Sequence, residues 1–216
     1  MREAVIVSYA RTGLAKSARG GFNITPTVSI AAHSVKHAVA KAGIDPGAVE
    51  DVFMGNVAHG GGNLARQAGL LAGLPITTSG VTVNRFCSSG LQTIGMAANY
   101  VRNDGADVVV AGGVETISMP NMGVGKDNFD PKLTEMYPDF WMPMIDTADV
   151  VARRKGAGWW WCPGTPQGWA PPPSWSSWAR DVTFGGGDIR MRISWGRFCW
   201  DGVRRSGEGV VVLTRG

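Results

Sequence analysis

The order of apolar and polar residues divides the first 113 positions into short apolar runs and longer amphipathic segments. The apolar runs have the length of buried strands, and the amphipathic segments repeat apolar residues at the three- and four-residue spacing of a helix. The runs predicted as strands are Ala4–Val7, Asp51–Gly55, Val81–Val83 and Asp107–Gly113. Strands that alternate with helices predict an α/β fold, with a mixed, mainly parallel sheet and helices on both faces.

Capping residues mark the ends of the predicted helices. In the first helix Thr25 suits the N-cap and Pro26 the first helical position, and Gly43 follows as the C-cap. A second helix is expected between Asn63 as its cap and Gly73. Apolar positions at helical spacing predict a third helix over Leu91, Ile94, Ala98 and Val101. Met144–Arg154 is predicted as a further helix, and Met119–Pro143 as a loop region rich in Pro, Asn, Asp and Met.

Residues 156–216 differ sharply in composition from residues 1–155. They hold eight of the nine Trp residues and no Lys, Asn, His or Tyr, and 32 of their 61 positions are Gly, Pro, Trp or Arg, whose codons are rich in G and C. Helical or strand periodicity is absent apart from "EGVVVLTRG" at the end. We therefore predict a folded domain over residues 1–155 and an unstructured tail over residues 156–216, translated out of frame from near Lys155. A Trp- and Pro-rich recognition segment, with "PPP" at Pro171–Pro173 as an SH3-type ligand, is the alternative.

Composition and charge exclude several classes of protein. The chain is 44% hydrophobic and 18% charged, and it has no apolar run long enough for a transmembrane helix. Its N-terminal apolar run is too short for a secretory signal, so we expect a cytoplasmic protein with no membrane partner. The net charge is +4, but residues 1–155 carry 14 basic and 13 acidic side chains. The body therefore lacks the basic stripe of a nucleic-acid-binding protein.

One of the three cysteines has a setting that suggests chemistry. Cys87, Cys162 and Cys199 show no CxxC spacing, which argues against a disulfide framework and against a zinc site. Cys87 lies between a predicted strand and a helix that we expect to begin at Ser88 or Ser89. There the positive end of the helix dipole and backbone N–H groups stabilise a thiolate, which is the nucleophilic form. Taken alone, this context is equally compatible with a buried, inert cysteine.

The segment around Cys87 resembles the nucleophile region of the thiolases, the acetyl-CoA acetyltransferases and 3-ketoacyl-CoA thiolases. The similarity is carried by "TVNRFCSSGLQTIGMAANYVRNDGADVVVAGGVETISMP". It extends in the same order to "REAVIVSYARTG", "VFMGNV", "GGNLARQAGLLAGLP" and "PMIDTADVVARR". The resemblance covers about residues 1–155 and only the N-terminal part of a family member.

The resemblance implies a fold, a reaction and a role for Cys87. The fold would be the thiolase-like N-terminal layer, incomplete in this chain. Cys87 would attack a 3-ketoacyl-CoA, carry the shortened acyl group as a thioester and pass it to coenzyme A, or support acetoacetyl-CoA formation. The backbone N–H of Cys87 would be one donor to the oxyanion. Coenzyme A and acyl-CoA are then substrates with no permanently bound cofactor, and a complete chain would form a homo-oligomer.

Three motifs of the family are not found in this sequence. Thiolases carry a base histidine in G-H-P, an N-E-A-F motif and a second cysteine in C-x-G-G-G, whereas His33, His37 and His59 all precede Cys87. "TFGGGD" (Thr183–Asp188) echoes the last motif by chance, with Thr183 in place of the cysteine. We therefore expect impaired acyl transfer, and an apolar face that needs a partner. A non-catalytic remnant or partner subunit is the alternative.

Other motifs favour structural roles over different chemistry. "HGGGN" (His59–Asn63) resembles an esterase oxyanion loop, but no G-x-S-x-G elbow or later histidine accompanies it. We interpret it as a Gly-rich loop, and the resemblance to thiolases implies that Arg66 and Gln67 help to order it near the active site and the dimer contact. His33 and His37 are four residues apart, as metal ligands can be, yet they fit a solvated helix face, and no metal is expected. "GADVVVAGGVE" has no G-x-G-x-x-G, so its glycines fit a closely packed strand end; the role of Glu115 stays open.

Overall fold

A computed structural model of the chain describes residues 3–16, 18–58, 62–118, 130–155, 205–206 and 209–215. The described residues belong to two compact units. The first unit contains a five-stranded sheet with three helices packed on it. The second contains two helices. The predicted boundary between residues 155 and 156 stays a prediction.

The five-stranded sheet is mixed and mainly parallel, as the sequence predicted. Its strands are β1 (Ala4–Arg11), β3 (Asp51–Gly55), β4 (Ser79–Val83), β5 (Val108–Gly113) and β7 (Gly209–Arg215). Their order across the sheet is β1-β7-β5-β3-β4. Strand β3 pairs in parallel with both β4 and β5, whereas β7 runs antiparallel to both of its neighbours. A two-stranded antiparallel sheet pairs β2 (Ala15–Lys16) with β6 (Arg205–Ser206).

Helices cover both faces of this sheet. They are α1 (Thr27–Ala42), α2 (Leu64–Leu71) and α3 (Ser89–Asn99), the last continuing into a π-helical turn at Tyr100–Asp104. Helix α1 begins one position later than expected, because Pro26 and not Thr25 occupies the N-cap. The other caps are confirmed: Gly43 ends α1 with a φ of 67°, and Asn63 Oδ1 accepts a hydrogen bond from the Arg66 N–H.

The second unit corrects part of the predicted loop region. Helix α4 (Pro131–Met136) lies inside Met119–Pro143, which was expected to have no regular structure. Asp130 caps it by accepting a hydrogen bond from the Lys132 N–H, and Pro131 takes the first helical position, where its missing N–H costs nothing. These two signals outweigh the polar composition. Helix α5 (Met144–Lys155) agrees with its prediction, and residues 119–129 lie outside the described residues.

Two hydrophobic cores lie on the two faces of the five-stranded sheet. Successive side chains of a strand point to opposite faces, so each buried strand contributes side chains to both cores. The first core joins α1 and α2 to one face, with Val35, Leu64 and Met54 fully buried. The second joins α3 to the other face, through Ala97, Phe53 and Val109. The sheet thus lies between helices on both faces. The segments that follow the parallel strands β3, β4 and β5 leave the sheet at the same edge.

The expectation of an unstructured tail is wrong for Arg205–Ser206 and Gly209–Arg215. Strand β7 lies in the interior of the sheet, between β1 and β5, and exposes only 1% of Val210, 0% of Val212 and 2% of Leu213. The physical reason is the alternation within "GVVVLTR", which sends Val210 and Val212 to the first core and Leu213 to the second. The Trp-rich run and "PPP" fall within residues 156–204, which lie outside the described residues.

Among the residues that the structure describes, no helix combines the length and the apolar character that crossing a membrane requires.

Candidate active site

Cys87 lies in an exposed turn between β4 and α3. The thiol is free and exposed, as are all side chains from Asn84 to Ser88. Ser88 occupies the N-cap of α3 and Ser89 is the first helical residue, which confirms the predicted position of the helix start. The alternative of a buried, inert cysteine does not fit this exposure. Cys162 and Cys199 lie outside the described residues.

A dense set of hydrogen bonds holds the turn that carries Cys87. The buried hydroxyl of Ser89 accepts from the Arg85 N–H at 2.8 Å and donates to the Phe86 carbonyl at 2.6 Å. Asn84 Oδ1 accepts from the Phe86 N–H at 3.0 Å, and the Arg85 guanidinium donates to Gln92 Oε1 at 2.7 Å. The backbone on both sides of Cys87 is therefore fixed from within the turn itself.

Phe86 adopts a backbone conformation that is unusual for a side chain with a Cβ. Its φ is 48°, in the left-handed region, and its side chain is 69% exposed. Such a residue costs of order 1–3 kcal/mol and persists only where its surroundings enforce it. Here the Asn84 and Ser89 side chains enforce it through their bonds to the Phe86 backbone. The strain therefore falls on the residue directly before the thiol.

Two glycines at strand ends, Gly55 and Gly113, form the seat on which the first turn of α3 lies. A Cβ added to Gly55, at the end of β3, would stand 2.5 Å from the Ser89 carbonyl carbon and 2.6 Å from the Gly90 nitrogen. A Cβ on Gly113, at the end of β5, would stand 3.0 Å from Gly90 Cα. The buried hydroxyl of Thr93 adds a 2.8 Å hydrogen bond to the Gly112 carbonyl. The closely packed strand end predicted for Gly112 and Gly113 is therefore confirmed.

Glu115 connects the ends of β3 and β5 through hydrogen bonds. Its half-buried carboxylate accepts from the N–H groups of Val57 at 3.0 Å, Ala58 at 3.3 Å and Thr116 at 3.1 Å. The Asn56 side chain donates to the same carboxylate at 3.3 Å and to the Val114 carbonyl at 2.8 Å. The question left open by the sequence is thus decided for the described structure: Glu115 has a structural role.

This network could have been suspected from the sequence. Asn56 directly follows one predicted strand and Glu115 follows another, and the carboxyl ends of parallel strands meet at one edge of a sheet. Next to it, the hydroxyls of Thr27 and Thr116 share a buried hydrogen bond of 2.5 Å, which ties the start of α1 to the same edge.

Arg66 and Gln67 have separate roles. The Arg66 guanidinium donates to the carbonyls of Thr78 and Ile76, so it orders the segment between α2 and β4. Its backbone N–H donates to Asn63 Oδ1 at the end of the Gly-rich loop, and its expected effect on the rest of that loop stays a prediction. A Cβ added to Gly62 would stand 2.8 Å from Gln67 Nε2, so Gln67 does lie against the end of that loop. His59, Gly60 and Gly61 are outside the described residues.

His33 and His37 lie on the exposed face of α1, as predicted. Their ring centroids are 4.3 Å apart and tilted, and both side chains are exposed. Within the described ranges, no group of three or more His, Cys, Asp or Glu side chains comes close enough to hold a metal ion.

Comparison with protein families and with known proteins identifies relatives of this chain. The model of the thiolase N-terminal domain matches residues 4–142. A 3-ketoacyl-CoA thiolase of Bacillus subtilis is 41% identical over 161 residues, which cover 72% of this chain and 41% of that protein. An acetyl-CoA acetyltransferase of Cupriavidus necator is 42% identical over 172 residues, which cover 72% of this chain and 43% of that protein.

The fold has a close counterpart among solved structures. The crystal structure of the Bacillus anthracis acetyl-CoA acetyltransferase superimposes with a TM-score of 0.63 and 28% sequence identity. The match covers 73% of this chain and 43% of that one. The chain thus spans less than half the length of the curated relatives it matches.

Proposed function

Because the chain belongs to the thiolase family, through an N-terminal domain at residues 4–142, we propose that it is a thiolase-type acyltransferase with Cys87 as its nucleophile. The observation that carries the proposal is the position of the free thiol, exposed and directly before the N-cap of α3. Nucleophilic cysteines occur at such helix starts because the local N–H groups and the helix dipole stabilise the thiolate.

The proposed reaction has two half-steps. The Cys87 thiolate attacks the ketone carbon of a 3-ketoacyl-CoA, and the carbon–carbon bond breaks. Its electron pair and a proton go to the departing acetyl-CoA, while the shortened acyl group stays on sulfur. The thiol of coenzyme A then takes the acyl group and returns the cysteine. In the synthetic direction, acetyl-CoA first acylates Cys87, and a second acetyl-CoA provides the attacking carbon.

The chain's own residues supply three parts of this reaction. Cys87 provides the acyl-accepting sulfur, and its backbone N–H is proposed as one donor to the oxyanion. The exposed side chains of the turn leave the sulfur open to a thioester. Ser89 and the glycine seat keep the turn in place before the substrate arrives, so that little reorganisation accompanies the attack.

We further propose that acyl transfer by this chain is impaired. Its sequence contains no G-H-P histidine or second catalytic cysteine of the kind that the family uses to move protons. A positioned general base contributes about a hundredfold to ten-thousandfold. Cys87 can still exchange with the thioester of acetyl-CoA, so the acylation that opens the synthetic direction is retained better than complete turnover.

A turnover assay tests the proposal. The purified chain is incubated with acetoacetyl-CoA and coenzyme A, and acetyl-CoA is measured against a Cys87→Ala control. We expect acetyl-CoA above the control, but at a rate at least about a hundredfold below that of a complete thiolase, because the base is missing. Product formation equal to that of the Cys87→Ala chain would reject the catalytic proposal.

A second candidate function is that of a non-catalytic partner subunit. It is favoured by the apolar residues that the edge strand β1 exposes, with Ile6 43%, Val7 47% and Tyr9 65% exposed. Contiguous exposed apolar surface is often an interaction site. Such a subunit would co-purify with a thiolase or with its own copies, whereas a chain that stays monomeric and binds neither would exclude this function.

A further inference from the structure

The Glu115 carboxylate is surrounded by hydrogen-bond donors alone in the contacts that the structure records. Oε2 faces the N–H groups of Val57 and Ala58, and Oε1 faces the Thr116 N–H and the Asn56 amide. An ionised carboxylate suits this setting because it only accepts. A glutamine of the same size would turn its NH₂ group towards donors whichever way its amide were oriented.

The groups that Glu115 holds lead directly to the seat of α3. The segment Asn56–Ala58 follows Gly55, whose Cα lies against the backbone of Ser89 and Gly90. Glu115 itself stands two residues after Gly113, which contacts Gly90 from the end of β5. The carboxylate therefore ties together the two strand ends on which the first turn of α3 lies.

We propose that Glu115 is a positioning residue for Cys87, an inference that rests on the proposed nucleophilic role of that cysteine. Glu115 fixes the ends of β3 and β5, and these ends fix the first turn of α3. The N–H groups of Ser88 and Ser89 at the start of α3 donate to the Arg85 and Phe86 carbonyls, so the helix start in turn holds the backbone on both sides of Cys87. When the carboxylate is lost, the seat loosens and Cys87 loses its fixed place at the positive end of the helix. Glu115 does this without contacting the substrate.

The test compares Cys87 alkylation in the full chain and in Glu115→Gln. Iodoacetamide is added at fixed pH, and the modified Cys87 peptide is quantified by mass spectrometry, which separates it from the other two cysteines. We expect alkylation of Glu115→Gln to be about threefold to fivefold slower, the size of a helix-terminus effect on a charged group. The ratio of the iodoacetate to the iodoacetamide rate constant should also fall, because the sulfur then experiences a weaker positive potential.

Glu50 supplies a matched control at the opposite edge of the sheet. Its carboxylate also accepts from two backbone N–H groups, those of Asp107 at 2.5 Å and Val108 at 3.4 Å, and so links β5 to the start of β3. Glu50→Gln should lower the thermal stability to a similar extent but leave both alkylation rate constants of Cys87 unchanged. A general loss of stability therefore cannot mimic the expected result. If Glu115→Gln does not fold, Glu115→Asp, which keeps the charge but is one methylene shorter, is expected to slow alkylation by an intermediate amount.

Several results would overturn the inference. An unchanged rate in Glu115→Gln would show that the seat does not depend on the carboxylate. A faster rate would show that Glu115 acts on the thiol only as a nearby negative charge. If Glu50→Gln slowed the alkylation of Cys87 as much as Glu115→Gln does, the cause would be a general loss of stability and not the position of Glu115. If Cys87 of the unaltered chain reacts no faster than a cysteine in a short peptide, the proposed nucleophile itself fails, which is distinct from a failure of Glu115.

Discussion

At the scale of single residues, the position of Cys87 depends on glycines, which have no side chain, as much as on the side chains that form hydrogen bonds in its turn. Helix α3 approaches β3 so closely at Gly55 that the smallest side chain would meet backbone atoms, which cannot move aside as a flexible side chain can. Gly95, within the same helix, has open space where its Cβ would be. The two glycines therefore have opposite physical meanings: one is required by packing, and the other only weakens the helix.

We predict that Gly55→Ala lowers the free energy of unfolding by about 3 kcal/mol, because the helix must shift to relieve the overlap. Gly95→Ala, the matched substitution, should raise it by about 1 kcal/mol through the higher helix propensity of alanine. Chemical denaturation of both variants measures these changes. Similar effects for the two would contradict the close approach at Gly55.

At the scale of secondary structure, the sequence predicted what depends on local pattern and missed what depends on distant partners. Strands β1, β3, β4 and β5, helices α1 to α3, the cap at Asn63 and the helix start behind Cys87 follow from periodicity and capping residues near each element. Strand β7 was missed because seven residues of alternation carry little signal unless the gap between β1 and β5 is known. Glu115 was undecided because its partners at Asn56–Ala58 are separated from it by 57 to 59 positions of chain.

The place of β7 in the sheet is tested by core substitutions. Val212→Ala should lower the free energy of unfolding by about 2 kcal/mol, because it removes buried methyl groups from a side chain that is 0% exposed. Val7→Ala, on a side chain that is 47% exposed, should change it by no more than about 0.5 kcal/mol. Equal effects in denaturant unfolding would show that Gly209–Arg215 does not form an interior strand.

At the scale of the whole molecule, the structure shows how a thiolase N-terminal domain exposes the thiol that we propose as a nucleophile. The interior strand β7 joins residues near the C-terminus to the sheet that supports α3, and the start of that helix lies on the ends of β3 and β5. The chain spans less than half the length of its curated relatives, and β1 exposes apolar side chains. Exposure of the thiol and completion of the proposed reaction are therefore separate properties, and the described residues account for the first.

The central claim is that Cys87 accepts an acyl group from a thioester of coenzyme A. The most direct measurement incubates the full chain with acetyl-CoA, determines its intact mass, and maps the adduct by peptide analysis. We predict the mass of one added acetyl group, located on Cys87, with free coenzyme A released in equal amount and no adduct in Cys87→Ala. A chain that gains no acetyl group, or gains it equally in the Cys87→Ala variant, would contradict the account.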